Sequence, residues 1–153
     1  MTIYEELLEE AKNSGLVVRE KPLSGSDGRI FRNRIAISDR LRTSTEKACV
    51  LAEEMGHHFT AVGNIIDQMN IENLKQEQKG RLRGYNRMIG LRGIISAFHA
   101  GCQNRYEVAE HLHVTEEYLQ EAIDCYREMY GCSVELDGYL IVFDPSLAVI
   151  EKF

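Results

Sequence analysis

Hydrophobic positions along this chain keep two rhythms. Tyr4, Leu7, Leu8 and Ala11 recur at helical spacing behind Thr2 and Glu5, which form a capping box, and Asn13-Ser14-Gly15 ends the run. The first element is an amphipathic helix. Leu16-Val17-Val18 and the alternating Arg34-Ile35-Ala36-Ile37 read as short strands, with turn chemistry in Ser24-Gly25-Ser26-Asp27-Gly28 and a bend near Asn33. Together they predict a small sheet of two or three strands. Thr43 and Glu46 form a second capping box, opening a helix whose Ala48, Leu51, Ala52, Met55 and Phe59 make one apolar stripe.

A loop from Gly63 through Asp67 leads to a helix predicted from about Asn73 to Ile89, which carries Glu77. Gly80 and Gly84 share one of its faces at a cost of about 1 kcal/mol each relative to alanine, which predicts close approach of another helix. The basic run Lys79, Arg81, Arg83, Arg87 and Arg92 fits a solvated helix face, or else a docking surface for an acidic segment or nucleic acid. Ile94 to Ala100 predicts a short helix. Val108, Ala109, Leu112, Val114, Leu119 and Ala122 then have helix-turn-helix spacing, with a turn at His113-Val114, a cap at Thr115 and a stop at Gly131. Val134 to Ile141, split by Asp137-Gly138, predicts a β-hairpin.

The fold class is therefore α+β, helix-dominated, with a small N-terminal sheet, a helix-turn-helix-like C-terminal segment and a final β-hairpin. The predicted division is 1–92 and 93–153, packed as one unit.

At 153 residues the chain is long enough to bury a core, and a charged fraction of 27% with no low-complexity segment predicts an ordinary globular protein. A net charge of −6 disfavours a dedicated nucleic-acid binder, because such binding begins with neutralising phosphates. No stretch approaches the length of a bilayer span and the N-terminus has no basic-then-apolar leader, which points to a cytosolic protein. Cys49, Cys102, Cys125 and Cys132 form no Cys-x-x-Cys pair and read as reduced, buried thiols. His99, His111 and His113 have no ligand spacing among themselves, the last two reading as turn or surface residues.

Candidate chemistry concentrates in Ala52-Glu53-Glu54-Met55-Gly56-His57-His58. Residues four apart on a helix lie one above the other, so Glu53 and His57 can aim a carboxylate and an imidazole at one point. Zinc accepts both ligand types at about 2.0 to 2.2 Å. The plainer alternative is an i,i+4 ion pair worth a few tenths of a kcal/mol. Glu54 and His58 have the same spacing and compete for either role. Cys49, one turn before Glu53, reads as a packed thiol.

The helix from Thr45 to Thr60 resembles the motif helix of the ImmA/IrrE family of metallo-endopeptidases, in its phage and mobile-element branch. Gly63-Asn64-Ile65-Ile66-Asp67, Lys75-Gln76-Glu77, Gly101 to Glu110 and Val114 to Leu119 resemble that branch as well, so the resemblance covers essentially the whole chain. It implies a zincin-like domain and a cytosolic zinc protease that cleaves a helix-turn-helix repressor, releasing a prophage or mobile element from silence. The family's His-Glu-x-x-His falls on Glu53 to His57, with Gly56 fixing the register. It implies that Glu54 is the catalytic base, taking a proton from a metal-bound water, and that His57 is a ligand. The third ligand is implied at Glu77, where Gly80 and Gly84 replace two family alanines and Arg83 replaces an aromatic residue.

Glu53 departs from the family pattern by replacing a histidine. Two carboxylates would formally neutralise a zinc ion, so its water would be less acidic and a carbonyl less polarised. Fewer nitrogen ligands also weaken selection for zinc over metals that favour oxygen. The expected outcomes are a slower or differently metallated protease, a site completed by its substrate, or a metal-free protein that antagonises a repressor by binding it. A third function class, a transcription factor using the helix-turn-helix, is disfavoured because Glu116, Glu117, Glu121, Asp124 and Glu128 outnumber Arg127 on the second helix. Tyr85 is a candidate oxyanion stabiliser that sequence does not place.

Overall fold

The computed structural model describes residues 1–61 and 76–152. The loop expected from Gly63 through Asp67 and the expected helix start at Asn73 lie outside them. The described chain divides into two compact units, the first comprising 1–61 and 76–84 and the second 85–152.

In the first unit, α1 (Ile3–Asn13) begins at the expected capping box, Thr2 Oγ1 accepting from the Glu5 backbone N–H while Glu5 accepts from Thr2 N–H. Its Tyr4, Leu7 and Ala11 are buried. Strands β1 (Val17–Lys21), β2 (Gly28–Phe31) and β3 (Arg34–Ser38) form a sheet in the order β1-β3-β2. β1 pairs parallel to β3, and β2 pairs antiparallel to it through a tight turn in which Arg32 has φ +56°. Glycine 28, expected in a turn, is instead the first residue of β2. That strand carries no strong alternation of its own, and its pairing to β3 decides its conformation. Helix α2 (Ser44–Ala61) starts behind Thr43, whose hydroxyl accepts from Glu46 N–H at 3.1 Å. Its Ala48, Leu51, Ala52 and Met55 pack with α1 and with Ile35 and Ile37 of β3 into the core of this unit. Helix α3 (Gln76–Met88) begins in the first unit and ends in the second.

The second unit contains α4 (Gly90–His99), α5 (Arg105–Leu112), α6 (Glu116–Tyr130) and the strands β4 (Ser133–Leu136), β5 (Tyr139–Val142) and β6 (Ala148–Glu151). Asn104 and Thr115 cap α5 and α6 through their side chains, and His113 turns the chain between these helices at φ +57°. The core gathers Ile94, Ala97, Leu119, Ala122, Tyr126 and Ile141, with the Tyr126 hydroxyl donating to Asn86 Oδ1 at 3.0 Å. Asp137 and Gly138 make the hairpin turn with positive φ at both positions, the geometry that Asp-Gly favours. The expected final hairpin is extended by β6 into a three-stranded antiparallel sheet. The chain is α+β and helix-dominated, as the sequence predicted.

All four cysteines are free thiols; Cys49 is buried, Cys102 and Cys125 are half-buried, and Cys132, which follows the Gly131 cap of α6, is exposed, against the expectation of burial. No helix among the described residues is long and apolar enough to cross a membrane.

Glu20 on β1 ties the first unit together, accepting from the Tyr4 hydroxyl of α1 and from Lys47 Nζ of α2, each at 2.9 Å. Lys47, then Tyr4, hold its carboxyl below the usual range against a small effect of burial. A lowered pKa adds stability above the ordinary carboxylate range, lost as pH falls through the folded-state value. Glu20→Gln is therefore expected to destabilise the protein by a few tenths to about 1 kcal/mol at pH 7, the pair being partly exposed. Urea unfolding at pH 7 and pH 3 checks this, the two proteins converging in acid.

Candidate active site

Helix α2 presents two further faces beside its buried stripe. One turns toward α3, and it begins with glycine. A Cβ on Gly56 would lie 2.1 Å from the Gly80 carbonyl oxygen and 3.3 Å from Gly84 N, so backbone meets backbone there. A Cβ on Gly80 would lie 2.4 Å from His57 Nδ1 and 3.0 Å from His57 Cα. The close helix approach expected from Gly80 and Gly84 is thus present, and it seats His57 against α3. Arg83 takes up the aromatic position of the family pattern by laying its guanidinium 4.6 Å from the centroid of the Phe59 ring, a cation–π contact.

The other face turns toward β2. A Cβ on Gly28 would lie 2.6 Å from Val50 Cγ1, 3.2 Å from Glu54 Cγ and 3.4 Å from Glu54 Oε1. The tightest of these contacts is with the Val50 methyl, and the strand lies in close contact with the Glu54 side chain beside it. β2 is an edge strand, paired among the described residues with β3 alone.

Of the two competing pairs on α2, the one that forms is Glu53 with His57, Oε1 to Nε2 at 3.8 Å. That distance makes an ion pair and is too long for a hydrogen bond. The Glu53 carboxylate raises the His57 pKa above its usual value against the opposing effect of burial, with a smaller contribution from Glu54. His57, and after it Arg81, lower that of Glu53, again against burial. Glu54 goes the other way: burial raises its pKa, Glu53 adds to the rise and His57 opposes it. His58 instead packs edge-on against Phe59, ring centroids 5.3 Å apart.

Glu77 completes the predicted donor set in type but not in position. Two carboxylates and an imidazole suit zinc, and the 3.8 Å between Glu53 and His57 is near the roughly 3.4 Å expected of two ligands sharing one tetrahedral ion. Arg81 intervenes: its Nε donates to Glu53 Oε1 at 3.1 Å and its Nη2 to Glu77 Oε1 at 2.9 Å. Among the described residues, no group of three or more His, Cys, Asp and Glu is gathered to hold a metal ion. As arranged, the predicted ligands do not fit one; the cation they hold is a guanidinium.

A family model described as the IrrE N-terminal-like domain, a peptidase family, matches residues 11–124. The chain belongs to this family. The match runs from the end of α1 into α6 and so includes the whole of α2 and the described part of α3, while β4, β5 and β6 lie beyond it. No curated protein and no solved structure matches the chain. Family membership makes the function metallopeptidase-type in kind.

Sequence reasoning missed Arg81, although Glu77 and Arg81 stand at i,i+4 on one helix face, a spacing that commonly forms an ion pair. It also missed Gly28, which no local pattern distinguishes from a turn glycine. The basic run proves largely engaged: Arg81 with the two glutamates, Arg83 with Phe59, and Arg92 with Asp137. Tyr85 is buried in the second unit with its ring edge-on to Tyr118.

Gly56→Ala tests the helix contact. Alanine favours a helix by about 1 kcal/mol over glycine, but overpacking against backbone costs about 1 to 3 kcal/mol or more. The expected net result is destabilisation by about 1 to 2 kcal/mol, seen as a lowered Tm in a thermal melt.

Proposed function

We propose that this protein is an anti-repressor of the endopeptidase type, which takes an extended segment of a helix-turn-helix repressor from a prophage or mobile element along the edge of β2 and presents it to Glu54. One observation carries the reading: the edge strand passes beside Glu54, a Cβ on Gly28 lying 3.2 Å from Glu54 Cγ and 3.4 Å from its Oε1. An extended peptide adds to a sheet edge through main-chain hydrogen bonds, which give affinity without demanding particular side chains. A strand added here lies beside the Glu54 carboxylate, where Oε1 takes a proton from an attacking water and returns it to the leaving amine. Glu53, His57 and Glu77 are the donors available for zinc or another divalent metal. With Arg81 between them, the chemistry assigned to this chain is proton transfer at Glu54. A repressor partner places the protein in the cytoplasm.

A second reading, a non-catalytic protein that antagonises its repressor by binding, is favoured by the engagement of both Glu53 and Glu77 with Arg81. It uses the same β2 edge without cleavage. Direct reading of DNA by α5 and α6 has less support: Glu116, Glu117, Glu121, Asp124 and Glu128 are exposed on α6, facing solvent with negative charge.

The test is incubation of the native protein and Glu54→Gln with the repressor encoded nearest its gene. Defined fragments are expected from the native protein, with a loss of about 100-fold or more in Glu54→Gln and undiminished repressor binding. Equal release of the repressor from its operator by both proteins, with no fragment, would overturn the endopeptidase reading in favour of the binding one.

A further inference from the structure

A net charge of −6 conceals a segregated field of cations. Residues 17–42 carry seven Lys and Arg against three Asp and Glu, so this stretch is net +4 within an acidic chain. Strand pairing decides where those charges point. In β3, Ile35 and Ile37 are buried toward α2, so Arg34 and Ala36 face the other way, and the register carries that outer face across the sheet. One row across it reads Val17, Arg34, Phe31, and the next reads Arg19, Ala36, Arg29. The small Ala36 is thus bordered by three arginines. Arg19, Arg29 and Arg34 are all exposed, and Phe31 beside Arg34 is 69% exposed.

The charge on this face is uncompensated. Among the described residues, none of Arg19, Arg29, Arg32 and Arg34 is in an ion pair. Arg19 donates to the Val18 carbonyl at 3.1 Å, and Arg29 to the Ser24 carbonyl at 2.7 Å and Ser26 Oγ at 3.2 Å, all of them neutral acceptors. Arg32 lays its guanidinium 5.3 Å from the centroid of the Phe31 ring. Of the three acidic residues, Glu20 alternates to the inner face, where it meets Tyr4 and Lys47. Asp27 and Asp39 lie just outside β2 and β3, at the end of the sheet away from Phe31.

We propose that the outer face of this sheet binds single-stranded nucleic acid, the arginines around Ala36 taking phosphates and Phe31 stacking on a base. Cations draw a polyanion to the surface, and an exposed aromatic ring holds unpaired bases of any sequence. A duplex keeps its bases stacked on one another and offers Phe31 none. The acidic side of α6 from a second copy would meet the arginines but set Phe31 against charge, because Glu116, Glu117, Glu121, Asp124, Arg127 and Glu128 are its exposed residues. The binding face is the side of the sheet away from α2, so the proposal stands apart from the endopeptidase reading.

The test is fluorescence anisotropy of the full chain with labelled oligo(dT) and oligo(U) of about 12 nucleotides, within the site sizes of such surfaces. An abasic oligomer of equal length, a duplex and polyglutamate are compared, and every variant is melted. Native protein is expected to bind the base-bearing single strands more tightly than the other three, the tighter of the two identifying the preferred sugar. Log affinity should fall with log salt at a slope of about −2, as for three phosphates neutralised on a single strand. Phe31→Ala is expected to weaken binding about fivefold or more and to erase the preference over the abasic oligomer. Arg19→Gln with Arg34→Gln should make the slope shallower by about 1.4, whereas Lys12→Gln, an exposed cation on α1, should bind like native protein. Absence of binding at low salt overturns the proposal, as does equal binding of the abasic oligomer, tighter binding of the duplex, or a Phe31→Ala variant that melts and binds like native protein. Polyglutamate bound as tightly as the oligomers overturns it in favour of an acidic protein partner.

Discussion

The candidate site depends on one steric constraint, the approach of α2 and α3 to backbone contact at Gly56. A side chain of any size there would meet the Gly80 carbonyl. Because it is absent, His57 lies against Gly80, Arg81 reaches across to Glu53, and Arg83 covers Phe59. Each glycine gives up helix propensity, about 1 kcal/mol relative to alanine. The contacts made possible are what that cost supports. Glycine 28 plays the same part on the other side of α2, where the missing Cβ brings an edge strand beside Glu54. The functional helix is thus approached closely from two directions, each time through a residue with no side chain.

The electrostatics follow from those approaches. Glu53 and Glu54 are neighbours in sequence with opposite fates, since one faces His57 and Arg81 and the other is desolvated beside β2. One carboxyl is held ionised and the other is made harder to ionise. Adjacent residues on a helix point about 100° apart, so different surroundings for consecutive glutamates are a direct consequence of helical geometry. The negative charge of Glu53 is answered by His57 and Arg81.

Much of the fold was legible because its signals are local. Capping boxes at Thr2 and Thr43, side-chain caps at Asn104 and Thr115, and the Asp137-Gly138 turn all act within a few residues, and all appear where the sequence placed their elements. β2 and β6 were not legible. Both are short edge strands whose conformation comes from pairing with β3 and β5, residues that the strand's own composition does not reveal. The exposed Cys132 failed to follow its expected pattern for a similar reason. Residue type fixes a tendency, and neighbours distant in sequence fix exposure and pairing.

By itself the sequence determined the family and the helical spacing that sets Glu53 one turn from His57 on α2, because motif spacing and helical periodicity are properties of the chain alone. Only the tertiary structure decided what those groups face. The passage of β2 beside Glu54 and the guanidinium shared between Glu53 and Glu77 both join elements separated along the chain. Such contacts depend on how near two backbones can come. That distance was set by three glycines whose role appears only when the helices and strand are packed.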